Sequence, residues 1–203
     1  VKSAIAFVVA IVSALIFVTV ATVGWSVGRG TVTAAAATSH PALVKAHLYL
    51  TIATPDMLGT DVGPAYLPSS MTVPAYAEVT VTVANFDGNT PLVGAATKYA
   101  NATGIPSPFS SRVLDPANPN TASKSPARSS MSIDPALVSH TFTVDSLGLN
   151  VPICGNCQTT FTFSTTAPGH YTWRCMDPCG TGPAGWDGAM ARDGYMSGQL
   201  NVV

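Results

Sequence analysis

Hydrophobic and polar positions divide the chain into unlike parts. No charged residue occurs between Lys2 and Arg29, and residues 4–28 are dominated by Ala, Val, Ile, Leu and Phe. A helix needs about 20 apolar residues to cross a bilayer, so this run predicts one N-terminal transmembrane helix. From residue 44 the period changes to two. Val44-Lys-Ala-His-Leu-Tyr-Leu-Thr-Ile52 predicts a first strand, and Glu78-Val-Thr-Val-Thr-Val-Ala-Asn85 alternates Val with Thr over its length. Asp87-Gly88 then gives a turn signal. The stretch between the two strands is rich in turn residues (Pro55, Gly59, Gly63, Pro64, Pro68), with Met71-Thr-Val-Pro74 leading into the second.

Residues 29–43 are Thr- and Ala-rich without a period and predict a tether. Residues 91–135 hold many Pro, Ser, Asn and Ala and predict an irregular insertion, packed on the domain or against a partner. After it the strand pattern returns. His140 to Asp145, Thr159 to Phe163, His170 to Cys175 and Gln199 to Val203 predict strands, with Ala167-Pro-Gly169 as a turn. Outside residues 4–28 no long helical period occurs. The expectation is an anchor (1–28), a tether (29–43) and an all-β domain (44–203) built as a sandwich or barrel.

Composition narrows the function. The formal net charge is −1, which excludes a basic face for nucleic acid. A secretory signal, with Ala34-Ala-Ala-Ala37 as its cleavage site, is the alternative to the anchor, but the apolar run exceeds a normal signal core. Lys2 beside the span places the β domain on the extracytoplasmic side of the cell membrane. The partners expected are membrane lipid, through residues 4–28, and other membrane subunits. Ser-His-Asp motifs, paired helical carboxylates and phosphate-binding Gly-rich loops are absent, so catalysis by this chain alone is not expected.

The chemistry concentrates near the C-terminus. The four cysteines, Cys154, Cys157, Cys175 and Cys179, have Cys-x2-Cys and Cys-x3-Cys spacing. Outside the cytoplasm they permit disulfides, of which Cys154–Cys157 is a short loop pair; the same spacings also permit a zinc or iron–sulfur site. Met190 and Met196 follow, and His140 lies on an earlier strand. Thiolate, thioether and imidazole together suit copper. Each has a plainer reading: a satisfied strand histidine, core methionines, and a Cys175–Cys179 disulfide.

With these residues in view, the C-terminal third resembles a cupredoxin, and in particular subunit II of cytochrome c oxidases. Their copper motif is C-x3-C-x3-H-x2-M, with a first histidine on an earlier strand. Cys175-Met-Asp-Pro-Cys179 and Met196-Ser-Gly-Gln-Leu-Asn-Val are similar to its two ends. The resemblance covers residues 138–203 and, weakly, 44–90. It implies a cupredoxin-like Greek-key β-sandwich and a mononuclear or binuclear copper centre held by His140, Cys175, Cys179 and Met196. Asp177 stands where the family uses a backbone carbonyl. It further implies electron transfer to a haem protein within a respiratory membrane complex. The chain departs from the motif in one place: where the family has Gly-x-His, it has Thr181-Gly182-Pro183 and then extra residues through Tyr195, including Met190. The family also contains subunits that keep the domain without copper. A metal-free structural subunit with disulfide-bonded cysteines is therefore the second expectation.

Overall fold

The computed structural model describes residues 44–115 and 125–203. Val/Thr alternation forms Ala77–Asn85 (β4), whose Val79, Val81 and Val83 are fully buried. β4 pairs in parallel with Val44–Ala53 (β1) and antiparallel with Cys157–Ser164 (β9). Val81 stands opposite Phe161 on the core face. On the other face Thr80 and Thr82 meet Thr162 and Thr160, with Oγ1–Oγ1 distances of 3.4 and 3.3 Å. Matched cross-strand pairs of this kind fix the register of the sheet.

Ala65–Leu67 (β2) borders β1 at one edge of this sheet. Phe109–Val113 (β5) and Arg128–Ser130 (β6) extend the other edge, giving six strands in the order β2-β1-β4-β9-β5-β6. The second sheet has five strands. They are Ser70–Val73 (β3), Ser197–Val202 (β11), Gly169–Arg174 (β10), Val138–Val144 (β7) and Leu149–Cys154 (β8), in that spatial order. The two sheets share one apolar core, the expected all-β architecture in two layers.

Aromatic packing joins the layers. Trp173 stacks on Phe142 with centroids 5.7 Å apart, Tyr66 meets Trp173 edge-on at 4.8 Å, and Phe161 lies 5.7 Å from Phe142. All four rings are buried. Their polar tips are satisfied: Trp173 Nε1 donates to the Ser69 carbonyl (2.8 Å), and the Tyr66 hydroxyl to the Thr141 carbonyl (3.0 Å). This cluster lies next to the cysteine end of the core and gives it a rigid floor.

The structure departs from the sequence expectation at β5, β6 and β8. Residues 91–135 were expected to be irregular, yet β5 pairs with β9 and β6 with β5. Only Phe109 of β5 is fully buried and no residue of β6 is, so an edge position leaves no alternation to read. β8 carries Pro152, which argues against a central strand; it lies at the edge of its sheet, where a missing N–H is tolerated. Among the described residues no helix is long and apolar enough to cross a membrane. The expected anchor and tether (residues 1–43) lie outside the described residues.

Phe142→Ala removes the ring shared by Trp173, Tyr66 and Phe161, and should cost about 3–5 kcal/mol of unfolding free energy. Chemical denaturation measures this; a loss below about 1 kcal/mol would mean that the core collapses around the gap.

Candidate metal centre

β10 runs antiparallel to β7, so the start of β7, which carries His140, lies beside the end of β10, which Cys175 follows. Phe142 and Trp173 face the core, so by the two-residue period His140 and Cys175 do as well. Both are buried, His140 completely. His140 Nδ1 lies 3.9 Å from Cys175 Sγ, and Cys175 Sγ lies 3.7 Å from Cys179 Sγ. The ligand atoms of His140, Cys175 and Cys179 all fall within 4.8 Å of one another. Met190 Sδ completes the cluster, 3.4 Å from Cys179 Sγ. One imidazole nitrogen and three sulfurs therefore converge.

The loop after Cys175 is tied to β7. The Thr141 backbone N–H donates to Cys175 Sγ (3.3 Å), and the Met176 N–H donates to Thr141 Oγ1 (2.7 Å). The Cys175 N–H donates to the Met196 carbonyl (2.8 Å). Downstream, residues 180–187 close a small hairpin: Thr181 and Asp187 exchange two backbone bonds of 3.0 Å, and the Gly180 N–H donates to the Gly185 carbonyl (2.8 Å). A side chain at Gly180 would collide with the Asp187 carbonyl and the Met190 stem, so glycine there lets Met190 approach Cys179.

The electrostatics separate the two thiols. Burial alone would raise the Cys175 pKa, but hydrogen bonds from Cys179 and His140, the imidazolium charge and the Thr141 N–H hold it well below the ordinary thiol value. Cys179 is pushed the other way, first by its hydrogen bond to Cys175 and then by burial. Burial lowers the His140 pKa, but the Asp87 hydrogen bond and the Cys175 thiolate outweigh it and raise it to about 9. Asp177 is raised to about 8 by burial and by the Cys175 charge, with His140 opposing. Both of its carboxyl oxygens are buried without a hydrogen-bond partner. These shifts favour a thiolate at Cys175 beside a charged His140, and a protonated Cys179 and Asp177 next to them.

The residues singled out in the sequence are placed as follows. His140, Cys175, Cys179 and Met190 come together. Met196 is buried in the same core cluster and touches Cys175 through its backbone. Asp177 offers its backbone carbonyl, 3.5 Å from Cys175 Sγ. Cys154 and Cys157 form a disulfide, so they present no thiolates for a four-cysteine zinc or iron–sulfur site. Cys175 and Cys179 are free. His170 is exposed and bonded to Asn201 (2.7 Å), and His47 is exposed and bonded to Thr82 (3.0 Å). Asp87 went unnoticed in the sequence: its Oδ2 lies 3.1 Å from His140 Nε2. Asp87-Gly88 read as a turn signal, and only the fold reveals the carboxylate's long-range partner.

No protein-family model matches the chain, and no curated protein matches it. Solved structures do. Auracyanin B is 16% identical with a TM-score of 0.34, over 78% of this chain and 88% of that one. A dithionite-reduced auracyanin from Roseiflexus castenholzii is 17% identical with a TM-score of 0.34, over 77% and 96%. A multicopper oxidase from Campylobacter jejuni, described as a metallo-oxidase, is 9% identical with a TM-score of 0.41, over 81% of this chain and 31% of that one. The chain spans about a third of that oxidase's length.

Asp177 makes the metal-free fold sensitive to pH. Its pKa rises on folding from 3.8 to about 8, so its contribution is fully present below about pH 4 and is lost as pH climbs towards 8. Asp177→Asn keeps the shape without the ionisation. The variant should gain stability relative to the parent between pH 4.5 and 7.5, read by denaturation of metal-free protein. An equal difference at both pH values would contradict the assignment.

Proposed function

We propose that the β domain binds copper and works as a one-electron carrier of the cupredoxin type. The observation that carries this reading is the convergence of His140 Nδ1, Cys175 Sγ, Cys179 Sγ and Met190 Sδ at one buried end of the core. The donor set fits the metal: thiolate and thioether are soft ligands of the kind that suit Cu(I), and imidazole is a common copper ligand. Cys175 already favours the thiolate form that a ligand must take. Cys179 must release a proton on binding, which ties metal uptake to pH. The unpartnered carboxyl oxygens of Asp177 beside this set also suit a site whose full complement includes a cation.

When bound, copper supplies the Cu(I)/Cu(II) couple. The chain's own part is to hold the donors and exclude water. β7 and β10 carry His140 and Cys175 on a packed aromatic floor, and the Thr141 hydrogen bonds hold the cysteine loop against β7. Limited rearrangement of the ligands is what favours rapid electron exchange. Met190 is the thioether placed against the sulfurs, and Met196 is the alternative donor from within the core.

In the finer form of this reading, residues 4–28 anchor the domain to the outer face of a cell membrane. The domain then passes electrons to a haem partner in a respiratory complex, as in short subunit II chains of oxidases. A second reading has two observations in its favour: His140 is the only histidine in the cluster among the described residues, and the two free thiols lie 3.7 Å apart. The domain would then be a metal-free structural subunit.

Copper content per chain, measured on purified full-length protein without added metal, separates the two. One or two coppers per chain, with visible absorption that disappears in Cys175→Ser while the β-sheet signal persists, is the expected result. No copper, together with thiols that label only after reduction, would establish the structural reading instead. On the copper-loaded protein, Met190→Leu should change the absorption and potential more than Met196→Leu; the reverse order would move the thioether role to Met196.

A further inference from the structure

We propose that Asp87 is the positioning residue of this centre, its carboxylate fixing the His140 ring so that Nδ1 is presented to the sulfurs. The inference rests on the metal-binding reading above and adds to it a residue from the turn that follows β4 of the other sheet. A neutral imidazole has one N–H and one lone pair, and the partner of the N–H decides which nitrogen can take a metal. Here the two nitrogens have separate partners. Nε2 meets Asp87 Oδ2 at 3.1 Å, while Nδ1 points to Cys175 Sγ at 3.9 Å. A carboxylate accepts but does not donate, so it holds the proton on Nε2 and leaves the Nδ1 lone pair for the metal.

Asp87 is itself held on several sides. Its Oδ1 accepts from the Gly88 N–H (2.9 Å), and its own N–H donates to Asn85 Oδ1 (3.0 Å). The carboxylate cannot swing without breaking one of these bonds. Its backbone carbonyl accepts from the Asn156 N–H (2.8 Å) in the turn closed by the Cys154–Cys157 disulfide. Two further bonds lock that turn to the same loop: Asn85 Nδ2 donates to the Cys154 carbonyl (2.8 Å), and the Gly155 N–H to Asn89 Oδ1 (3.1 Å). Any side chain at Gly155 would run into Asn89 and Gly88, so the two segments pack at backbone distance. The disulfide turn thus serves as the outer support of the loop that orients the ligand.

Burial makes the contact consequential. The His140 side chain is 0% exposed, whereas that of Asp87 is 27% exposed. Without the carboxylate, the Nε2 proton loses the fixed acceptor that holds it, and the ring is free to turn or to move its proton to Nδ1. Either change takes away the metal's lone pair.

The test uses full-length protein with 15N-labelled histidine, loaded with Cu(I), which is diamagnetic. In the parent chain the His140 Nε2 proton should appear as a slowly exchanging, hydrogen-bonded resonance. Asp87→Ala should lose that resonance and bind Cu(I) about 10–100-fold more weakly. Asp87→Asn keeps an acceptor oxygen without the charge. It should retain the resonance at a shifted position, recover part of the affinity and raise the midpoint potential, because a negative charge that favours Cu(II) has gone. If Asp87→Ala fails to fold, Asp87→Asn alone decides: an unmoved resonance with an unmoved potential overturns the proposal. So does Asp87→Ala with parental resonance and affinity, and in that case the copper reading stands. A parent chain that takes up no Cu(I) overturns both.

Discussion

Thr141 is the point on which the geometry of the site turns. Its N–H donates to the Cys175 sulfur, its hydroxyl accepts from the Met176 N–H, and its carbonyl accepts from the buried Tyr66 hydroxyl. One residue of β7 thereby ties together the cysteine loop, its own sheet and the opposite layer. The hydroxyl chain continues through Thr143 Oγ1 (3.0 Å) to Asn150 Oδ1 (2.7 Å). Since Thr143 donates to Asn150, Thr141 must donate to Thr143, which leaves its lone pairs for Met176. Asn150 Nδ2 then reaches the carbonyls of Tyr99 and Asn101. A directed chain of buried hydrogen bonds is mutually reinforcing, and a break anywhere leaves a buried polar group unpaired. Residues 99–101 are thus bound into the network behind the centre rather than merely laid over the sandwich.

On that frame the site sets a thioether, Met190 Sδ, 3.4 Å from Cys179 Sγ. The residues after Cys179 fold into a glycine-rich hairpin that returns at Met190, with Gly182, Gly185 and Gly188 at positive φ. Such backbone geometry is open to glycine at little cost and strained for other residues. On the copper-binding reading proposed above, a third sulfur beside a single imidazole would make the donor set soft, which favours the reduced metal. The fixed Asp87 charge behind His140 acts in the opposite sense. The balance between these two is where this centre would set its potential.

The sequence made the sandwich legible wherever a strand had one face in the core and one in solvent. β4 and β9 show this, since Val/Thr and Phe/Thr alternation survives in the chain itself. It failed for β5 and β6, which bury a single aromatic between them, and for β8, where Pro152 masks an edge strand. β7 illustrates a further limit: every residue from Val138 to Val144 is buried, so alternation of burial gives no hint of which face carries the ligand. Within the site, His140, Cys175 and Cys179 were identifiable from residue type and spacing, and Met190 was in view with less weight than Met196. Asp87 was hidden because its partner lies 53 residues away on the other sheet. No local spacing encodes a contact made only when two layers close.

X-ray absorption at the copper edge of the loaded full-length chain tests the donor set most directly. The expected first shell is dominated by sulfur, with a single imidazole contributing nitrogen and its outer-ring scattering. A shell of nitrogen and oxygen alone, or one with two imidazoles, would contradict it.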